Sequence, residues 1–394
     1  MKTNNSWLLP DGIDEFLPPQ AVKLEHQRRS LLKLFHTWGY EQVAPPMVEF
    51  LDSLLVGTAN DLESDTFKLT DPVTGRLVGI RADMTPQVAR IDAHRLKSEG
   101  PSRLCYFGHV LLTHARELGG SRNPVQCGAE LFGCEDIAAD LEIINLMMSA
   151  LCQAKLNTFY VDLGHVSIFR SLASQAKLSS EVEEQLFDAL QRKAQPEILT
   201  LLDGVADKKT AAMLASLTSL NGDASVLAEA REKLAAAEKD VHHALDELQK
   251  AADQFKQGWP DKILNIDLAE LRGYQYHTGL VFSAYAPGYG QAIAVGGRYN
   301  GIGEVFGRNR PATGFSIDLT AVLALDPTSA DKRGGIFAPV IEDSGLVSKV
   351  AELRAAGERV IQELPGQNQD AAALHCDKQL VKKNSDWVIE SLRN

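Results

Sequence analysis

The stretch 271–319, LRGYQYHTGLVFSAYAPGYGQAIAVGGRYNGIGEVFGRNRPATGFSIDL, constrains the fold more than any other part of the chain. Short β-type runs are separated by polar and charged residues, and glycines mark points where backbones approach closely. A sheet floor that holds a small polar ligand reads this way. The surrounding chain has 394 residues, enough for two or three domains with sizeable cores. A hydrophobic share of 44% and a charged share of 23% are those of an ordinary soluble globular protein.

Several classes are argued against. No run of 18 apolar residues offers a transmembrane helix. The opening MKTNNSWLLPDGIDEF lacks a basic start and a long apolar block, so a cytoplasmic protein is expected. The five cysteines form no CxxC pair, which predicts free thiols in a reducing compartment and no metal site. No cofactor is expected. The net charge of −12 argues against a large nucleic-acid footprint, although a local basic patch could still bind.

Periodicity predicts a helix over 21–38 closed by Gly39 at its C′ position, then a short strand halted by Pro45 and Pro46. A hairpin over 65–80 turns at residues 71–75. A helix over 85–96, strands at 102–110 and 125–132, a helix over 140–156 and a strand at 158–163 follow. From 169 to 256 the composition becomes helical. Leu227, Leu234, Val241, Leu248 and Phe255 recur every seven residues, which predicts one helix of about 30 residues with a coiled-coil-like seam, for internal packing or for a partner. After a linker at 327–333, the segments 335–341, 344–364, 371–376 and 385–392 read β-α-β-α.

Three groups of residues carry a family resemblance. Gly39-Tyr40 through Pro46 and Glu49 form a helix–strand junction ending at proline. Tyr106 opens a hairpin that closes on Gln126-Cys127-Gly128-Ala129-Glu130. Arg272-Gly273-Tyr274-Gln275-Tyr276-His277-Thr278-Gly279 and 311–319 complete the set. Over roughly residues 5–325 the chain resembles the catalytic domain of histidyl-tRNA synthetases. The resemblance implies an α+β fold of the class II aminoacyl-tRNA synthetase type, an antiparallel sheet flanked by helices and normally dimeric. It divides the chain into a core at 1–168 and 259–326, a helical insertion at 169–258, and a small C-terminal α/β domain at 334–394 like a truncated anticodon-binding domain.

The resemblance also implies a histidine pocket. Asp83, Thr85 and Gln126 would face the α-ammonium and Arg272 the carboxylate. Glu130, Tyr276 and His277 would face the imidazole, with His277 standing where the synthetases usually have tyrosine. Each has a plainer alternative: Asp83 as an ion-paired loop residue, Arg272 as a structural cation, and 296–299 (GGRY) as a tight turn. The nucleotide site departs from the family. Leu112 replaces the arginine that grips carboxylate and α-phosphate, His114 replaces an acidic residue, and Thr320-Ala321 replaces the final Glu-Arg. Arg116 and Arg122 are residual phosphate contacts or surface charges. A preorganised cation on a reacting phosphate contributes about 10²–10³ in rate, so losing two removes adenylation.

A histidine pocket without its nucleotide clamp is similar to the regulatory subunits of ATP phosphoribosyltransferase, which 162–170 (DLGHVSIFR) and 271–279 also resemble. That resemblance implies no catalytic residue and a short-form catalytic subunit as partner in a hetero-octamer. It also implies self-association as a dimer and L-histidine as effector of the first step of histidine biosynthesis, with no membrane or nucleic-acid partner. The alternatives are a working or specialised synthetase, discriminated by Leu112 and Ala321, and a non-catalytic RNA-binding module, which the net charge disfavours.

Overall fold

The computed structural model describes residues 7–55, 60–115, 120–274, 276–326, 334–367 and 369–392. The chain separates into two compact units, Met1–Asp326 and Pro327–Asn394.

Among the described residues, the first unit is built on a nine-stranded sheet. One of its interior strands, Val125–Phe132, is buried along its whole length, so both of its faces meet packed layers. It pairs antiparallel with Ser102–His109 on one side and with Ala312–Asp318 on the other. Beyond Ala312–Asp318 come Ala292–Arg298, Leu280–Tyr285 and Tyr160–His165, each antiparallel to the last. Ile263–Asp267 then adds in parallel and Asn221–Gly222 forms that edge, while Glu41–Gln42 lies parallel to Ser102–His109 at the other. The α+β synthetase-type sheet expected from the sequence is present.

The helix Gln20–Thr37 buries Leu31 and Phe35, and the Phe35 ring meets Phe315 of the sheet edge-on at 6.1 Å. Gly39 ends it with φ +81°, as the C′ reading predicts. In the hairpin Phe67–Thr70 and Leu77–Ile80, Asp71 accepts from the amides of Val73 and Thr74 and from the Thr74 hydroxyl, which fixes the turn. Two buried ion pairs, Arg298–Asp140 at 2.5 Å and Arg310–Asp92 at 2.9 Å, tie the ends of sheet segments to helices.

Between Tyr160–His165 and Ile263–Asp267 the chain is largely helical, from Val166–Gln175 to Lys239–Gly258. The single long helix predicted from the seven-residue repeat is two helices, Val226–Lys233 and Lys239–Gly258. All five repeat positions are buried, so the periodicity reports a buried stripe, not one rod. Gln175 supplies the reason for the break. Its side chain accepts from the Glu238 amide at 3.2 Å and donates to the Ala236 carbonyl at 3.4 Å, satisfying groups that a continuous helix would bond internally.

Among the described residues, the second unit is a four-stranded sheet with one helix, Ser344–Ala355. Its sequence reading needs correction. The run 371–376 is turn, and 385–392 is not helical: Asp386–Ser391 is a strand antiparallel to Lys378–Lys383. Asn384 turns between them at φ +55°, a conformation asparagine tolerates. Trp387 points into the core of this sheet while the rest of its strand is exposed or half-buried.

Candidate functional site

The strands Leu280–Tyr285 and Ala292–Arg298, with one end of Ala312–Asp318, floor a cleft of about 530 Å³. Asp83, Gln126, Arg272 and His277 line it. Thr85, Glu130 and Tyr276 form an adjoining layer: the Thr85 amide donates to Asp83 at 3.0 Å, and the Tyr276 ring meets that of His277 at 5.2 Å.

At one end, Asp83 Oδ1 accepts from Gln126 Nε2 at 2.9 Å, while Gln126 Oε1 accepts from the Met84 amide at 3.0 Å. Both ends of the Gln126 amide are thereby oriented. Asp83 Oδ2 takes no hydrogen bond from a described residue and remains an acceptor for a cationic group.

The other end is built around Glu130, which is 1% exposed. Its Oε1 accepts from Tyr106 Oη at 2.9 Å and from Thr85 Oγ1 at 3.0 Å, and its Oε2 accepts from Tyr299 Oη. Burial pushes its carboxyl up to about 8, against the opposing pull of these hydroxyls. The Tyr276 ring stacks on Tyr299 at 4.9 Å, and its buried hydroxyl has no partner among the described residues. An orphan of that kind costs about 1–3 kcal/mol, which a ligand's polar atom can recover. His277 Nδ1 lies 3.3 Å from the Arg298 carbonyl oxygen. A carbonyl only accepts, so Nδ1 carries the proton and Nε2 keeps its lone pair. Burial holds the ring neutral by pushing His277 down to about 4.

Arg272 stands at the cleft with its side chain 46% exposed. Its guanidinium lies 5.6 Å over the Tyr285 ring, and Nε is 3.7 Å from Glu270, longer than a hydrogen bond. It therefore keeps donors for a carboxylate.

Among the described residues, no comparable cation faces the remaining space. Leu112 is 1% exposed and lines the cleft, and Ala321 is buried in the hydrophobic core. Arg122 does not line the cleft: its guanidinium donates to the Leu112 carbonyl at 3.1 Å and to that of Asp11 at 3.0 Å, latching the N-terminal segment to the hairpin. Arg116 lies outside the described residues. Among the described residues, the charged groups lining the cleft are Asp65, Asp83 and Asp318 against Arg272, a balance that opposes a triphosphate. Among the described residues, no group of three potential ligands is placed to hold a metal ion, and no helix is long and apolar enough to cross a membrane.

Tyr106 and Tyr299 were not assigned to Glu130 by sequence reasoning. A signal existed for one of them. A glutamate inside an apolar strand needs donors, and the neighbouring strand places Tyr106 opposite Gly128, two residues from Glu130 on the same face. Tyr299 reaches Glu130 from beyond the end of another strand, so local spacing could not supply it.

Comparison with known proteins resolves the family. The histidyl-tRNA synthetase family matches residues 12–322, and the ATP phosphoribosyltransferase subunit HisZ C-terminal domain matches 333–390. The ATP phosphoribosyltransferase regulatory subunit of Thioalkalivibrio sulfidiphilus is 53% identical over 100% of both chains. This chain belongs to the family of ATP phosphoribosyltransferase regulatory subunits. A member from Stutzerimonas stutzeri is 51% identical, again over 100% of both chains. The crystal structure of an ATP phosphoribosyltransferase regulatory subunit/histidyl-tRNA synthetase from Bacillus halodurans matches with a TM-score of 0.82 at 25% identity, covering 95% of this chain and 97% of that one. The regulatory-subunit family, and not the synthetase alternative, accounts for the synthetase-like fold joined to this C-terminal domain.

Proposed function

We propose that this regulatory subunit binds free L-histidine in the cleft and passes its occupancy to a short-form catalytic subunit. It activates that partner in the first step of histidine biosynthesis, the transfer of a phosphoribosyl group to ATP, and makes the step sensitive to histidine. Asp83, Thr85 and Gln126 hold the α-ammonium, Arg272 takes the carboxylate, and Glu130 with Tyr276 and His277 reads the ring. The assembly is a cytoplasmic hetero-octamer with a dimer of this chain inside it. We assign a core to 1–168 and 259–326, the insertion to 169–258 and a truncated anticodon-binding-like domain to 334–394.

The observation that carries this reading is the buried Glu130 beside a Tyr276 hydroxyl that has no partner among the described residues, in a layer adjoining a cleft that Leu112 helps to line. The site keeps the means to read a small amphoteric ligand, and among the described residues Arg272 is the only cation lining it, too little to stabilise a reacting phosphate. Regulation requires that histidine bind two arrangements of the complex unequally, and the coupling is then reciprocal. Calorimetry with and without the catalytic subunit tests it: histidine affinity should differ between the two. Equal affinities with no change in partner activity would refute the proposal. Glu130→Gln and Arg272→Ala should weaken inhibition by histidine more than they weaken activation.

A further inference from the structure

The segment 162–170 has no role in the site described above. It leaves the strand Tyr160–His165 and enters the helix Val166–Gln175. Two of its residues, one helical turn apart, reach the same loop. Ser167 Oγ donates to the Thr278 carbonyl at 2.9 Å. Arg170 Nη2 donates to the carbonyls of Tyr274 and His277 at 2.8 and 3.2 Å. This loop carries Arg272, Tyr276 and His277.

The loop needs holding from outside. Its described residues form no helix or strand, and Gly273 turns it at φ +68°. A Cβ on Gly273 would lie 2.6 Å from His277 Cδ2, so the loop folds tightly over its own histidine. Tyr274 anchors it in the opposite direction, away from the cleft. Its ring lies edge-on to Phe169 and stacks on Phe187, each at 5.2 Å, and its hydroxyl donates to Glu183. The Arg170 guanidinium lies 4.9 Å over the same ring. The helices Val166–Gln175 and Ser180–Gln191 therefore grip the loop through two of its side-chain or carbonyl faces at once.

We propose that Ser167, Arg170 and Tyr274 are positioning residues that clamp the effector-binding loop to the helical insertion, so that the insertion sets ligand affinity in the cleft. The inference rests on the reading of the cleft as a histidine site. Physically, Arg272, Tyr276 and His277 can meet a ligand together only if the backbone between them is fixed. Releasing it adds a loop-ordering cost to every binding event. Conversely, a ligand that orders the loop tightens the grip on Tyr274 and stabilises the helices around it.

Calorimetric titration with L-histidine of the full chain, as wild type, Arg170→Ala, Arg170→Lys, Tyr274→Phe and Ser167→Ala, tests this. The wild type is expected to bind. Arg170→Ala should weaken binding about 10–100-fold, the loss expected for a charge-assisted pair of bonds, at unchanged stoichiometry. Arg170→Lys should recover part of the loss by reaching one carbonyl, and Tyr274→Phe and Ser167→Ala should each weaken binding several-fold. Hydrogen exchange supplies a readout that a merely structural role would not move. Histidine should protect both the loop and residues 180–191 in the wild type, but only the loop in Tyr274→Phe. If the wild type does not bind histidine, the reading of the cleft fails. If it binds and the variants bind equally well, the clamp is overturned and that reading stands. Should Arg170→Ala not fold, Tyr274→Phe and Ser167→Ala, each lacking one hydrogen bond, decide the matter alone.

Discussion

Glu130 faces Gly314 across the antiparallel pairing of their strands, and its carboxylate fills the space where a side chain at 314 would stand. A Cβ built on Gly314 would lie 1.6 Å from Glu130 Oε2. The glycine is therefore a condition for the buried carboxylate to reach its three hydroxyl partners. Gly314→Ala should displace Glu130, cost about 1–3 kcal/mol of stability through overpacking, and weaken histidine binding at least about tenfold. Thermal melting and calorimetry check the two effects. Unchanged affinity would remove Glu130 from the ring-reading role.

The Glu130 carboxyl also predicts a pH dependence. Its ordinary value is 4.5 and burial raises it to about 8 in the folded chain. Below the lower value the group is protonated both folded and unfolded, and its contribution to stability is fully present. Between the two values the unfolded chain releases the proton while the folded chain keeps it, so stability falls as pH rises. Urea unfolding of the unliganded protein should show a decline on the order of a few kcal/mol from pH 5 to 8 attributable to this group. Glu130→Gln should flatten it; an equally steep slope in that variant would assign the proton elsewhere.

The proposed loss of both phosphate clamps predicts that the chain does not activate histidine. Histidine-dependent pyrophosphate exchange should stay at background for the natural sequence. Leu112→Arg should not restore it, because Ala321, proposed as the second clamp position, is 3% exposed and packed in the core. Robust exchange from either protein would contradict the regulatory assignment of the cleft.

Asp140 and Arg298 form a buried pair at 2.5 Å, and burial raises the Asp140 carboxyl despite the arginine. Arg298→Met leaves that carboxylate uncompensated and should cost about 3–5 kcal/mol at neutral pH. The penalty should shrink at mildly acidic pH, as Asp140 takes up a proton, and Asp140→Asn in the same chain should recover part of it. Chemical denaturation at the two pH values measures this.

The legible parts of the molecule are those whose cause lies within a few residues. Gly39 ends its helix because only a residue that accepts positive φ can follow that last turn. Asp71 makes its turn with its own neighbours. Strands 102–110 and 125–132 announce themselves by composition, and their glycines by proximity to polar residues. The seven-residue repeat misled because a buried stripe looks the same in one helix as in two; Gln175, more than 50 positions away, decides the break.

The sequence alone determined which chemical groups the site could use: acceptors at Asp83 and Glu130, a cation at Arg272, and apolar side chains at Leu112 and Ala321 where phosphate would need donors. Only the tertiary structure decided that Tyr299 and Tyr106 hold Glu130, that Arg122 serves the N-terminal segment, and that Arg170 reaches the loop from the insertion. Side-chain chemistry is a property of each residue, whereas strand register and helix packing set which residues meet, and both are fixed by burial summed over the whole core.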